Sequence, residues 1–197
     1  PKHKYLLWTD KNNRDFIKNN YPDFLETYDN YNHNIKRVDA VRYFFLYHYG
    51  GIYADLDFES LKPLDPILKE FSDYDVILGR MGINEEFAHS IPNAIMISKP
   101  RADFWLYVIE NMKKRANQDG AEYDTGPMLL KYCVDTYRGP SKIKVLSTDY
   151  LYPINWAINE GGTERLDIVK NGKILSNEKV KKMFPNSYAV TYWTHTW

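Results

Sequence analysis

Apolar and polar positions along the chain alternate between two periods. From Ile35 to Tyr49, the residues Val38, Val41, Phe45 and His48 fall at helical spacing, so this stretch is predicted to be a helix that Gly50-Gly51 ends. Ile52 to Phe58 follows as a buried strand. Upstream, Tyr5 to Trp8 is a short apolar run closed by Thr9-Asp10; it predicts a strand, then a helix capped by Asp10 and stopped near Tyr21 by Pro22. Pro63 and Pro66 bracket another helix start, Val76 to Leu78 and Ala94 to Ile97 read as strands, and Ala102 to Lys114 reads as a helix. This order predicts an α/β sandwich with a mostly parallel sheet. After about Lys142 the pattern loosens: Ile143 to Leu146 is a candidate strand, Gly161-Gly162 and Asn171-Gly172 signal turns, and Tyr188 to Trp197 is aromatic and β-prone.

Length and charge narrow the picture. With 197 residues, the whole span 1–197 is expected to form one domain. Lys plus Arg (26) equals Asp plus Glu (26), so the charge footprint of a nucleic-acid binder is missing and no nucleic-acid partner is expected. Any anionic ligand has to be held locally. The 17 Tyr, 9 Phe and 5 Trp make an aromatic-rich chain, suited to a packed core and also to sugar rings and nucleobases. Cys133 is the single cysteine, which excludes an internal disulfide and a thiolate zinc cluster. No apolar run approaches the ~18 residues of a membrane span, so none is expected in this chain. The sequence does not begin with Met, and it names no compartment.

The candidate chemistry centres on Asp55-Leu56-Asp57. Two carboxylates two residues apart on a strand would project from one face, and a hard divalent cation such as Mg2+ or Mn2+ would relieve their repulsion. A surface ion-pairing role is the plainer alternative. Position favours the metal reading, because the pair ends an apolar strand, where crevices open in α/β sheets. A second pair, Asp73 and Asp75, precedes its strand and reads as a solvated turn. Asp39 and Arg42 share a helix face three residues apart; they form either an ordinary surface pair or the wall of the same crevice, facing sugar hydroxyls or a phosphate.

The stretch from Ile35 to Asp57, with Val38-Asp39-Ala40-Val41-Arg42 running into Gly50-Gly51-Ile52-Tyr53-Ala54-Asp55-Leu56-Asp57, resembles the D-x-D signature region of the GT32-type glycosyltransferases. That family includes initiating α-1,6-mannosyltransferases and inositolphosphorylceramide mannosyltransferases, with the large clostridial toxin glucosyltransferases as distant relatives. Shorter matches extend along the chain at Leu7-Trp8-Thr9-Asp10, Pro92-Asn93-Ala94, Thr125-Gly126-Pro127 and Trp193 to Trp197. The resemblance implies a GT-A-like, Rossmann-like α/β/α sandwich that binds a nucleotide sugar (GDP- or UDP-hexose, mannose favoured). It also implies transfer with retention to a hydroxyl of a glycan or glycolipid acceptor. It places Asp39 and Arg42 on the donor sugar, Asp55 on ribose and sugar hydroxyls, and Asp57 on a cation, Mn2+ or Mg2+, that bridges the diphosphate. Asn93, Asp124 and Thr125 fall on the sugar and acceptor side, and Trp8, Gly51, Tyr53, Gly126 and Trp197 complete the implied substrate contacts. Relatives carry a His about six residues before the closing Trp, as a metal ligand; here that position is Thr191, and His195 is the substitute expected beside Asp55 and Asp57. Relatives also carry an apolar strand ahead of Leu7-Trp8, where the nucleobase docks.

Two rival readings fit part of the pattern. A haloacid-dehalogenase-type phosphatase also ends a strand in Asp-x-Asp, but its motif continues differently from Phe58-Glu59-Ser60 and lies on the first strand. A non-catalytic nucleotide-sugar-binding module is the other.

Overall fold

The computed structural model describes residues 3–157, 159–165 and 176–193. Its organising element is the helix predicted most strongly, although it differs from the expected amphipathic helix. The segment Asn34–Tyr49 buries Ala40, Val41, Tyr43, Phe44, Phe45 and Leu46 on all sides, as a helix wrapped by other elements must. Its wrapping comes from Asp10–Asn20 (α1), Pro22–Asp29 (α2) and Asp103–Arg115 (α5) on the outside and from the sheet on the inside. The buried helix itself is α3. Thr9 caps α1 by accepting from the Asn12 amide at 3.3 Å, so the capping residue lies one position before Asp10. Pro22 does end α1, and it also opens α2, because a proline costs nothing at a first helical position. Phe24 and Tyr28, four apart and buried, then hold α2 in place.

Gly50 and Gly51 turn the chain from α3 into β1 (Gly51–Ala54) with φ of 64° and 85°. A side chain at Gly50 would meet Pro100, with its Cβ 2.5 Å from the Pro100 nitrogen, so the corner is closed to any residue but glycine. Strand β2 (Phe58–Ser60) follows at once, and after α4 (Asp65–Glu70) come β3 (Val76–Gly79) and β4 (Ile95–Ser98). Short helices α6 (Ala121–Asp124) and α7 (Pro127–Thr136) precede β5 (Ile143–Leu146); α8 (Thr148–Leu151), β6 (Ile154–Asn155), β7 (Thr163–Glu164), α9 (Asn177–Met183) and β8 (Ala189–Thr191) complete the described elements.

The main sheet has the order β1-β4-β3-β5 and is mixed, where a mostly parallel one was expected. Strand β4 is antiparallel to both β1 and β3, while β3 and β5 run parallel. The reason lies in the connection: no α-helix lies between β3 and β4, so the chain makes no crossover and returns in the opposite direction. Alternate residues divide between two cores: Val76, Leu78 and Met96 face α3 and α5, and Ile77, Ile95 and Ile97 pack with Ile67, Leu151 and Tyr152 on the other side.

Two further expectations are corrected. The strand from Ile52 stops at Ala54, well short of Phe58, because its partner β4 begins at Ile95 and the preceding Pro92 has no amide to extend the ladder. Tyr5 to Trp8 forms no strand: Tyr5, Leu6 and Leu7 are exposed, and Trp8 turns inward onto the helices. The β-prone end does supply β8, which pairs antiparallel with β2 from Phe58–Thr191 to Ser60–Ala189. Asn171-Gly172, His195 and Trp197 lie outside the described residues.

Candidate functional site

Lys36, Asp39 and Arg42 recur every three residues, so one stripe of the otherwise apolar α3 carries charge, and all three are buried. Buried charges are tolerated only when paired and hydrogen-bonded. Each is. Lys36 meets Asp124 at 2.6 Å with both side chains essentially sealed from water. Arg42 lies 2.9 Å from Asp39 Oδ1 and 3.4 Å from Asp55 Oδ1. The surface-pair alternative for Asp39 and Arg42 therefore gives way to a buried cluster.

Arg42 ties three elements together. Its Nη1 donates to the Asn93 carbonyl at 2.8 Å, fixing the chain just before β4, and its guanidinium lies over the Tyr53 ring at 4.9 Å. Asn93 Nδ2 donates to Asp39 Oδ1 and to the Tyr43 hydroxyl, each at 3.1 Å. Tyr43 in turn donates to the Thr125 carbonyl at 2.8 Å, and Thr125 Oγ1 stands 3.5 Å from Asp39 Oδ2. Gly126 permits this closure, since a Cβ there would come within 2.8 Å of Glu122 Cα and 3.3 Å of Asp39 Oδ2. The strand contributes Tyr53, whose hydroxyl donates to Asp55 Oδ1 at 2.7 Å.

Burial pushes the Asp39 carboxyl up to about 6; Arg42, Asn93 and Thr125 pull it down and Asp55 adds to the rise. Burial alone would lower the Arg42 pKa, yet Asp55, Tyr53 and Asp39 outweigh it, so the guanidinium stays charged. Burial likewise raises Tyr53 and Tyr43, which remain neutral donors.

Asp55 and Asp57 flank the turn that ends β1. The Asp55 amide donates to the Ala94 carbonyl at 2.8 Å as the last bond of the strand, and the Phe58 amide closes the turn on the Asp55 carbonyl at 3.3 Å. The two carboxylates are therefore carried by a turn and not by a strand face, and Leu56 between them is 80% exposed. Asp55 is half-buried beside Arg42, whereas Asp57 is exposed at the rim. Thr191 Oγ1 donates to Asp57 Oδ2 at 3.2 Å.

The structure thus gathers Asp39, Arg42, Tyr53, Asp55, Asn93, Thr125 and Gly126 into one connected network, with Asp57 on its open side. Asp124 does not face that space: it is fully buried, held by Lys36 and by the Asp119 amide at 3.2 Å, so it shapes the segment ahead of Thr125. Trp8 and Gly51 lie at the opposite end of α3 and β1 from the acidic turn. Trp8 stacks on Phe45 at 4.2 Å and meets Phe16 edge-on at 5.4 Å, and Gly51 opens the strand that Asp55 ends. His195 and Trp197 are outside the described residues. Sequence reasoning passed over Lys36, Tyr43 and Tyr152. The three-residue spacing of Lys36, Asp39 and Arg42 is the signal that would have found the first. Tyr152, whose hydroxyl accepts from the Ile95 amide at 2.7 Å and anchors the start of β4, has no such signal.

The donor set suits a hard divalent cation. Two carboxylates, Asp39 and Asp55, share the guanidinium of Arg42, and Asp57, two residues past Asp55, is exposed and accepts from Thr191 Oγ1. Among the described residues no group of three or more His, Cys, Asp and Glu is placed to hold a metal. Two carboxylates completed by water and substrate phosphates is the arrangement Mg2+-like ions accept. Concave surfaces lined by Asp10, Arg14 and Arg37, and by Gly120, Glu122 and Tyr123, do not include the acidic turn.

Residues 1–74 match the glycosyltransferase sugar-binding region containing the DXD motif. The chain is 35% identical over 191 residues to the mannosyl phosphorylinositol ceramide synthase SUR1 of Saccharomyces cerevisiae, covering 90% of this chain and 47% of that protein. It is 36% identical over 143 residues to inositol phosphoceramide mannosyltransferase 2 of Schizosaccharomyces pombe, covering 70% of this chain and 39% of the relative. An uncharacterized glycosyltransferase, L373 of Acanthamoeba polyphaga mimivirus, is 29% identical over 157 residues, covering 77% and 61%. The chain thus spans about half the length, or less, of the yeast proteins it matches. No solved structure matches it. No helix among the described residues is long and apolar enough to cross a membrane.

Proposed function

Since residues 1–74 belong to the DXD-containing sugar-binding region of glycosyltransferases, we propose that the chain is a metal-dependent, retaining hexosyltransferase with a GT-A-like fold. It takes mannose, from GDP-mannose in the first instance, and delivers it to a hydroxyl of a glycolipid or glycan. The mixed sheet with helices on both faces and the relatives named for mannose transfer to inositol phosphoceramide support this reading. The observation that carries it is the buried chain of contacts from Asp39 through Arg42 to Asp55, at the turn whose other carboxylate, Asp57, is exposed to solvent.

In this reading Asp39 and Arg42 orient the sugar, Arg42 with the planar fork that suits hydroxyl and phosphate oxygens. Asp55, held in place by Tyr53, accepts from ribose or sugar hydroxyls. Asp55 and Asp57 would hold the cation, which when bound would supply positive charge to offset that developing on the diphosphate. Asn93 and Thr125 close the sugar side without supplying a nucleophile. Retention then follows from attack on the face the leaving group vacates, and no general base is assigned.

Nucleoside diphosphate release from a panel of nucleotide sugars, measured with and without Mn2+, tests the proposal. GDP release that requires Mn2+ and is abolished in Asp57→Ala at unchanged melting temperature is the expected result. Inorganic phosphate release instead would indicate the phosphatase rival, and metal-dependent binding with no release the non-catalytic module.

A further inference from the structure

Resting on that reading of the Asp39 and Asp55 site, the seam beside it has the make-up of a second subsite. The two segments that meet at Asp39, the loop before β4 through Asn93 and the α6 turn through Thr125, meet again a few residues away. There His89 Nε2 lies 3.6 Å from Glu122 Oε2. His89 precedes Asn93 by four residues, so the second meeting point is within about 14 Å of the first along the chain. Strand β6 delivers Trp156 to the same place, with Asn155 close against Gly82 at the base of the loop. The Trp156 ring meets His89 edge-on at 5.3 Å and Phe87 at 6.1 Å, while Phe87 and His89 lie 5.4 Å apart. This trio is set by mutual contact, yet Trp156 remains 37% exposed.

Two buried nitrogens of this loop, Arg80 Nη1 and His89 Nδ1, have no hydrogen-bond partner, an unusual state for a buried polar atom. Glu122 also lines a concavity with Gly120, Tyr123 and Met128. Aromatic rings with the Glu122 carboxylate at their margin suit a polyhydroxylated ring: C–H faces lie on an aromatic surface and hydroxyls reach the polar rim.

We infer that Trp156, Phe87 and His89, bounded by Glu122, form the acceptor platform, which seats a cyclitol or hexose ring so that one of its hydroxyls faces the donor sugar at Asp39. The contacts that join Asp39, Arg42, Asn93 and Asp55 run through α3, the end of β1 and the segment before β4, so substitution at Trp156 tests the platform apart from the donor site.

Saturation-transfer NMR on the whole chain, with glycerophosphoinositol and free myo-inositol as soluble probes, tests this. The native protein is expected to pass saturation to the ring protons, Trp156→Ala to weaken binding about tenfold, and Trp156→Phe, which keeps a flat face, to recover most of it. The GDP-induced shift in melting temperature with Mn2+ should be equal in all three proteins. Absence of ring signals from the native protein, or equal signals from Trp156→Ala, overturns the platform. If no nucleotide shifts the melting temperature while ring signals persist, it is the donor reading that fails.

Discussion

Thr191 and Asp57 are joined by a 3.2 Å hydrogen bond at the first rung of the β2–β8 pairing. The closing segment of the chain therefore reaches the acidic turn through a hydroxyl, at the position where the sequence resemblance places a histidine ligand. Partners of this kind orient a ligating carboxylate and commonly change metal affinity by about tenfold or more when removed. Thr191→Val is expected to raise the half-saturating Mn2+ concentration of donor turnover about tenfold. Because Thr191 Oγ1 also accepts from the Trp193 amide, stability should fall by about 1 kcal/mol. A metal titration beside a thermal melt separates the two effects; the same thermal loss with an unchanged Mn2+ requirement would assign the hydroxyl to stability alone.

Arg42 holds Asp39, Asp55 and the Asn93 carbonyl at once. Arg42→Lys keeps the charge and loses the fork, leaving buried acceptors short of donors. A loss of about 1–3 kcal/mol is expected, together with a fall in donor turnover greater than that stability loss accounts for. Urea denaturation and initial rates on one preparation check both; a stability loss with full activity would confine Arg42 to the scaffold.

The Lys36–Asp124 pair lies beneath this network. Breaking a buried pair from one side strands a charge and costs about 3–5 kcal/mol, whereas an apolar replacement of both partners is often neutral. Lys36→Met should thus lower the urea midpoint sharply, and Lys36→Met with Asp124→Leu should recover most of the loss at a similar m-value. A double variant no better than the single would mean that the pair is not the source of the cost.

Asp39 gives stability a pH dependence of unusual sign. Its carboxyl is raised by burial to about 6, above the ordinary 3.8, so between these values the folded chain binds the proton more tightly than the unfolded chain. Its contribution is fully present below the ordinary value and declines as pH rises toward 6. Asp39→Asn lacks that titration. The melting temperature of the variant minus that of the parent should therefore climb between about pH 4 and about pH 6.5. A flat difference across that range would show that Asp39 titrates normally.

Periodicity in the sequence was enough to locate α3, its glycine stop, β3, β4 and α5, since each depends on local spacing and a clear terminator. Direction in the sheet was not legible: whether β4 runs with or against its neighbours depends on what the 80–94 loop does, and loop geometry leaves no periodic trace. The end of β1 was misjudged for a similar reason, because a strand lasts only as long as its partner and Pro92 lies far away in sequence. Of the site, Asp39, Arg42 and Asp55 were visible through spacing and resemblance. Asp124 was visible by position but misread, since the lysine that captures its carboxylate lies 88 residues away. Tyr152 acts through a single hydroxyl brought in by tertiary packing, and nothing around it in the sequence marks it; Thr191 stands where the resemblance places a histidine, but its bond to Asp57 is made only by the fold.

The corner at Gly50 has no slack: it admits no side chain, and it joins α3 to β1 without an intervening loop. The separation between the charged stripe of α3 and the acidic turn is therefore a fixed gauge, insensitive to surface variation. Variation in the site's breadth is therefore left to the ribbon between β3 and β4, which can lengthen without moving that gauge.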